Sequence, residues 1–449
     1  MYVIIIGMGQ VGRHVLRTLE VDRHNVVAVD VSADVVRDVE EHHDVATLLG
    51  YGASPRVLKQ AGAARADLVV SVTNNDEVNL LAAIAAKQLG ARRVVARVQG
   101  DDWAACTNET GVQYGFMGVD VIINPRVLLA EEITKIARSH GALEVIDLAA
   151  DRIELVKMNI DEGSSMVNQP LSTLSMPEGT IVAAFVREGR VTVPGGADIL
   201  MPGDEAYIMG LPEKILDAED LFSTQREARR VTILGGGVIG KTLAKPLARD
   251  GTRVTIIEKL MDRATALSET LDNVTVLCGD GTNLDLLEEE EIGRSDLFVA
   301  VSREDEVNLM ACLLAKRIGV DRTIALCHRP DYLELYRQLG VDITLSPRLV
   351  ASDHVLRYSR SAEVKSLTLL EQGKAEVLEM VALSTCRAVG VPIRSRQVQM
   401  PRGAIIGAIV GPDRAIIPRG DDVILPGETV IILTTHEARA AVSKLFKGA

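Results

Sequence analysis

Residues 2–12 read YVIIIGMGQVG, and residues 231–240 read VTILGGGVIG. In each, an apolar run ends in G-x-G-x-x-G: Gly7-Met8-Gly9-Gln10-Val11-Gly12 in the first, Gly235-Gly236-Gly237-Val238-Ile239-Gly240 in the second. A strand that feeds such a loop, with a helix following, is the context a dinucleotide site needs. One copy is a weak signal. Two copies inside a longer repeat point to a tandem nucleotide-binding protein.

The repeat extends outward from both loops. Residues 11–19 read as a helix and 26–29 as a strand ending in Asp30; residues 241–248 and 254–257 repeat this, ending in Glu258. The next strand ends at Gly50-Tyr51-Gly52-Ala53 in one half and Gly279-Asp280-Gly281-Thr282 in the other. A short helix follows, which in the first half Ser54 caps, Pro55 starts and Gly62 ends. Then Asp67-Leu68-Val69-Val70-Ser71-Val72 leads into Thr73-Asn74-Asn75-Asp76-Glu77-Val78-Asn79-Leu80, matched by residues 296–301 leading into Ser302-Arg303-Glu304-Asp305-Glu306-Val307-Asn308-Leu309. Alternating strands and helices predict an α/β fold, a doubly wound parallel sheet with right-handed crossovers in each half.

A longer helix follows each sheet, opened by Asn124-Pro125 or Ser346-Pro347. Its apolar stripe has two readings, packing on its own sheet or crossing to a neighbouring lobe. The period then changes. Residues 142–211 and 362–433 become short β-rich runs broken by Gly and Pro, with hairpins around Glu188-Gly189 and Gly411-Pro412-Asp413. The turns Pro202-Gly203-Asp204-Glu205 and Pro426-Gly427-Glu428-Thr429 keep the repeat in step. The expected organisation is a Rossmann-like lobe over residues 1–122, a crossover helix over 123–141 and a small α+β lobe over 142–222, then the same series over 229–345, 346–361 and 362–449.

Composition narrows the function. Apolar residues form 47% of the 449, but aromatics only 3%, so the cores must be aliphatic, as buried parallel strands require. A net charge of −13 argues against nucleic acid and against adhesion to anionic lipid. The cysteines, Cys106, Cys278, Cys312, Cys327 and Cys386, form no C-x-x-C pair, and the histidines show no metal spacing. No signal peptide and no apolar run of membrane length is visible, so a cytoplasmic chain is expected.

In each fingerprint the first glycine permits a tight turn, the second lets a phosphate approach the backbone, and the third lets helix and strand pack closely. The helix start with Met8, Gln10 and Val11, or with Val238 and Ile239, offers free N–H groups to a pyrophosphate. Asp30 or Glu258 can accept from both ribose hydroxyls while repelling a 2′-phosphate, which favours NAD(H) or an adenosine nucleotide over NADP(H). Thr73 and Ser302 fall at the carboxyl edge of the sheet, where ligands bind. The pairs Asp76/Glu77 and Asp305/Glu306 suit helix starts better than catalysis or a metal. No nucleophile–base constellation, zinc motif or Gly-Lys-Ser/Thr loop appears, so neither catalytic nor metal-ligating residues are expected.

Together the doubled fingerprint, the residues 73–79, the segment 279–282 and the Pro-Gly-Asp-Glu turn resemble the TrkA family, cytosolic regulatory subunits of Trk potassium uptake systems. The resemblance covers essentially the whole chain, as two RCK (regulator of K⁺ conductance) modules. It implies a homo-oligomeric ring, a tetramer, docked peripherally on the inner face of the membrane against a TrkH or TrkG subunit. NAD(H) and ATP or ADP would bias the ring between open and closed states of the pore. Carried over by position, the first site uses Gly7, Gly9, Gly12, Asp30, Thr73, the adjoining Asn74, and Arg97, which matches a phosphate-reaching arginine. The second uses Gly235, Gly237, Gly240, Glu258, Gly279, Asp280, Thr282 and Ser302. Two departures predict unequal sites. Tyr51 stands where Asp280 offers a carboxylate to adenine, and Leu326 stands where Arg97 offers a cation. Two other classes stay open: a soluble NAD-dependent oxidoreductase with a duplicated cofactor domain, and a sensor for a different ion transporter.

Overall fold

The computed structural model describes residues 1–21, 23–104, 110–358 and 364–446. Cys106 lies outside them. The chain divides into two compact units, one joining Met1–Thr134 with Ala228–Ser359, the other Lys135–Glu227 with Arg360–Ala449.

The first unit holds two Rossmann-like lobes. In the first, the strands lie in the order Ala46–Leu49, Asn25–Asp30, Tyr2–Ile6, Leu68–Ser71, Val94–Arg97, Val119–Ile123 and Val112–Phe116. All but the last are parallel. In the second, the order is Val274–Cys278, Arg253–Glu258, Arg230–Leu234, Leu297–Ala300, Arg322–Leu326 and Ile343–Leu345, all parallel. The winding reverses between Tyr2–Ile6 and Leu68–Ser71, and again between Arg230–Leu234 and Leu297–Ala300. Such a reversal opens a crevice at the carboxyl ends of the strands. The central strands are rich in Val, Ile and Leu because helices bury both of their faces: Val3, Ile4, Ile5 and Ile6 are all buried.

The helix Gln10–Val21 turns Val11, Val15, Leu16 and Leu19 inward, an apolar stripe at helical spacing. The crossover helix Pro347–Leu356 of the second module seats Ala351, Val355 and Leu356 in the same apolar cluster. It therefore packs on the neighbouring lobe. The earlier crossover helix, Pro125–Arg138, places Leu128 in that first-lobe cluster too. Asn124 Oδ1 accepts from the Arg126 and Val127 amides at 3.1 and 3.4 Å, the expected cap. Ser346 and Ser54 hold the cap position but make no cap bond. Pro55 and Pro347 take the first helical position, where their fixed φ suits the helix and no N–H is left to pair.

Among the elements outside the sequence expectations are a hairpin strand and a short helix. The strand Val112–Phe116 folds back on Val119–Ile123 through Met117-Gly118, both at positive φ (52° and 78°), a type I′ pairing in which Phe116 faces Val119. In the second lobe a helix, Leu333–Gln338, fills the corresponding stretch of chain.

The second unit holds two antiparallel five-stranded sheets of one topology. The first runs Arg190–Thr192, Thr180–Arg187, Glu205–Gly210, Ile153–Asn159, Ala142–Leu148; the second runs Val364–Leu370, Ala375–Val381, Thr429–Thr435, Ala404–Val410, Ala415–Ile416. Each is backed by a helix, Pro212–Phe222 or Arg439–Phe446. One apolar cluster serves both lobes, with Leu155 and Met209 meeting Val377 and Leu433. The repeated turn is held by a forked ion pair in each: Asp204 takes Arg187 Nε and Nη2 at 2.7 and 2.6 Å, Glu428 takes Arg414 Nε and Nη2 at 2.7 and 2.8 Å. Among the described residues, no helix is long and apolar enough to cross a membrane.

Candidate nucleotide sites

The two glycine loops have the same geometry. Gly7 and Gly235 take φ of +94° and +106°, which only glycine adopts at low cost. A side chain on Gly12 would run into the Gly7 carbonyl, and one on Gly240 into the Gly235 carbonyl. Gly9 and Gly237 are different: a Cβ there would meet nothing within 4 Å. The middle glycine thus leaves open ground in front of the helix N-terminus, as an approaching phosphate requires. In both lobes the first and third glycines are committed to packing.

Asp30 closes the first cradle. Its Oδ2 accepts from the Met8 amide at 2.7 Å and its Oδ1 from the Ser32 amide at 2.9 Å. These two bonds hold a half-buried carboxylate at the end of its strand, with lone pairs to spare. Glu258 copies them, accepting from Gly236 at 3.0 Å and Leu260 at 2.9 Å. Its surroundings are closer, however. Glu258 is only 4% exposed, and Arg263 Nη1 stands 3.5 Å from its Oε2. A side chain on Gly236 would strike Leu267, which packs over the acid where the first lobe has Met8. The second acid is one methylene longer and folds back under this cover.

Thr73 and Ser302 lie on the loop after the fourth strand in sequence. Each loop is pinned from below by a buried asparagine. Asn79 Oδ1 accepts from the Thr73 amide and hydroxyl at 2.8 and 2.7 Å, while Nδ2 donates to the carbonyls of Thr73 and Arg97, both at 2.9 Å. Asn308 repeats three of these bonds, to Ser302 N, Ser302 O and Leu326 O, at 2.9, 3.2 and 3.0 Å. Sequence reasoning used these asparagines only to align the halves. Their recurrence at one position of both repeats was the available signal for a positioning role.

The acidic pairs divide their duties. Asn75 caps its helix by accepting from Val78 at 2.7 Å. Asp76 instead reaches the loop after the next strand, accepting from the Gln99 and Gly100 amides at 2.8 and 2.7 Å. Asp305 does the same with His328, whose amide and Nδ1 lie 2.9 and 2.8 Å from its Oδ1. These carboxylates staple two edge loops together. Among the described residues, no group of three or more His, Cys, Asp or Glu could hold a metal ion.

Arg97 ends its strand with 7% exposure and donates through Nη2 to Thr73 O at 2.9 Å and Asn74 Oδ1 at 3.3 Å. Its buried Nε has no hydrogen-bond partner. Burial brings its pKa down to about 10, against the pull of Asp76 and with Arg348 and Arg126 adding repulsion. It remains charged at neutral pH. An unsatisfied buried guanidinium N–H is costly, and an anionic oxygen would satisfy it. In the second lobe Leu326 fills this position, and it too is buried.

Gly50-Tyr51-Gly52 and Gly279-Asp280-Gly281 share a backbone path: side chains on Gly52 and Gly281 would strike Ile6 and Leu234, the residues just before each glycine loop. Tyr51 is exposed. Asp280 is anchored but accessible, taking the Thr282 hydroxyl and amide at 2.7 and 3.0 Å and Lys259 at 2.9 Å. The Thr282 bonds, then Lys259, hold its carboxyl at about 2. The glycine cradle, the acid ending the second strand and the loop hydroxyl therefore converge in both lobes. Arg97 and Asn74 join them only in the first, Asp280 and Thr282 only in the second.

Two Rossmann-like lobes with open glycine cradles, each paired in sequence with a small α+β lobe, define a tandem Rossmann-fold protein. Comparison with known proteins gives the family. The TrkA-N domain matches residues 3–125 and 231–347, and the TrkA-C domain matches 155–223 and 377–447. A Trk system potassium uptake protein TrkA homolog of Archaeoglobus fulgidus is 34% identical over 447 residues, covering 100% of both chains. The Trk system potassium uptake protein TrkA of Vibrio alginolyticus is 34% identical over 455 residues, 99% of this chain and 97% of that one. The chain belongs to the TrkA family. Among solved structures, the GsuK channel bound to NAD superposes with a TM-score of 0.63 at 18% identity, covering 99% of this chain and 78% of that chain.

Proposed function

We propose that this chain is the nucleotide-sensing regulatory subunit of a potassium uptake system. It acts in the cytoplasm, peripherally on the inner face of the membrane, through a pore-forming partner of the TrkH or TrkG type. Each module comprises the Rossmann-like lobe, crossover helix and small lobe bounded as in the sequence reading, and several modules assemble into a homo-oligomeric ring, a tetramer. NAD(H), and ATP or ADP, bind the two cradles without being consumed. The pore responds because a ligand shifts the ring between states by its differential affinity for them.

The observation that carries this reading is the doubled cradle: an open middle glycine in front of a helix N-terminus, with an acid anchored by two backbone amides beside it. In the first site Gly9 and the amides at Gln10 and Val11 would hold the pyrophosphate, Asp30 the ribose, and Thr73, Asn74 and Arg97 further phosphate oxygens. In the second, Gly237, Val238 and Ile239 would hold phosphate, Glu258 ribose, and Gly279, Asp280, Thr282 and Ser302 the adenosine end. A bound nucleotide supplies charge and bridging contacts; the protein's own residues bind and orient it. The first site favours ligands with additional phosphate, and the second selects adenine. The known NAD complex of the GsuK channel supports a dinucleotide in this fold.

The test is calorimetric titration of the full chain with NADH, NAD⁺, ATP and ADP, with Asp30→Ala and Glu258→Ala variants, and nucleotide-dependent co-purification with the membrane subunit. Undiminished binding in Asp30→Ala would remove the ribose assignment. Sustained NADH oxidation with a carbonyl substrate would favour the oxidoreductase reading instead.

A further inference from the structure

The two small lobes pack against each other through equivalent surfaces. Leu148, Ile153 and Leu155 of one occupy the strand positions of Leu370, Ala375 and Val377 of the other, and all six share one cluster. Polar contacts at the edge repeat this approximate two-fold relation. Arg152, just before the strand Ile153–Asn159, donates to the Gly411 carbonyl in the opposite hairpin turn. Lys374, just before Ala375–Val381, donates to the Gly189 carbonyl at 2.7 Å. Surfaces of this kind are open to pairing like with like, first lobe with first or second with second.

One contact breaks the relation. Lys157, buried in the first lobe, places Nζ 2.6 Å from its own Glu205 and 2.6 Å from Glu371 of the second lobe. Tyr207, its cross-strand neighbour, donates to the same Glu371 oxygen at 2.8 Å. Burial alone would lower the lysine's pKa, but Glu205 and Glu371 outweigh it and the net shift is upward. In strand register Lys157 corresponds to Glu379, Tyr207 to Ile431, and Glu371 to Ala149. The two-fold relation therefore sets Lys157 against Glu371 on one side and Glu379 against Ala149 on the other. Two first lobes would set Lys157 against Ala149 twice. Two second lobes would set Glu379 against Glu371 twice, a like-charge pair at a buried seam.

We infer that Lys157, Tyr207 and Glu371 form the key that makes a first small lobe accept only a second small lobe, with Glu379 as the repulsive element against second–second pairing. Discrimination by an attractive pair on one partner and a clash on the other is how near-symmetric interfaces become specific. The inference is independent of nucleotide binding.

The test uses the full chain with Cys106 and Cys278 changed to serine and reporter substitutions Gly189→Cys and Lys374→Cys, joined by a short bis-maleimide. Correct pairing gives a link within one chain, seen at monomer mobility on a denaturing gel and located by peptide mass. Lys157→Glu faces Glu371 with another carboxylate and should cut this link about tenfold; Lys157→Glu with Glu371→Lys should restore it. A second arm co-expresses one chain carrying Lys157→Glu and Gly189→Cys with another carrying Glu371→Lys and Lys374→Cys. Each chain repels itself and complements the other, so a cross-linked dimer should appear. The same cysteines with native charges should give little dimer. An unchanged link in Lys157→Glu, no rescue by the double reversal, or equal dimer in both co-expressions overturns the inference.

Discussion

The side chain of Asn79 donates to the carbonyl of Arg97 at 2.9 Å, joining the loop that carries Thr73 to the strand that carries the arginine. Asn79 is wholly buried, and its other side-chain bonds go to Thr73 and to the Ser71 hydroxyl. Asn79→Ala strands the Thr73 amide and the Arg97 carbonyl without partners, while the Thr73 carbonyl keeps the Arg97 guanidinium. A cost of about 2–3 kcal/mol is expected. Urea unfolding followed by hydrogen exchange at Thr73 measures it, and an unchanged midpoint would show the clamp to be dispensable.

Gly9 and Gly12 should respond oppositely to one added methyl. Gly9→Ala meets open space, so the melting temperature should stay put while nucleotide affinity falls about tenfold, near 1.4 kcal/mol. Gly12→Ala drives a methyl into the Gly7 carbonyl and should destabilise the lobe itself. Calorimetry beside thermal melting separates the two; equal melting temperatures for both variants contradict the packing account.

Arg97→Leu gives the first lobe the residue that the second has at Leu326. ATP affinity should fall more than NADH affinity at the first site, with the second site unaffected. Arg97→Lys should recover part of the loss, since a lysine keeps the charge but not the fork. Parallel titrations with both nucleotides check the ratio, and an unaltered ratio removes Arg97 from phosphate binding.

Glu154, on the strand Ile153–Asn159, titrates at about 7, raised first by burial and then by Asp147 and Glu219, against the pull of Lys135. The folded form therefore holds a proton that the unfolded chain releases near its ordinary value of 4.5. Stability from this group is fully present below that value, declines as pH rises toward about 7, and is gone above it. Glu154→Gln should raise the melting temperature at pH 8 more than at pH 5 and flatten the profile between. Melts across that range decide it: a parallel profile in the variant would assign the proton elsewhere.

Much of this protein was legible as a repeat. The doubled glycine loops, the acid at matched spacing after each and the change of period all follow from local chemistry, because turns, caps and buried strands constrain residue type within a few positions. The hairpin strand Val112–Phe116 was not legible, since its fold-back depends on Met117 accepting positive φ, which sequence does not advertise. The caps at Ser54 and Ser346 were expected from residue type, yet neither hydroxyl makes a cap bond, whereas Asn124, also followed by proline, does.

By itself, then, the sequence determined two Rossmann-like lobes and two small lobes, and named candidate residues for each cradle. Only the tertiary structure decided which of those residues are accessible: Asp30 stands half-buried while Glu258 folds under Leu267 and Arg263. It also decided that the helix Pro347–Leu356 packs on the first lobe and that Lys157 meets Glu371. The physical reason is one of range. Backbone preferences act between neighbours in the chain, whereas burial and charge pairing depend on distant segments brought together, and two near-identical repeats leave several such pairings open until side chains at the seam choose among them.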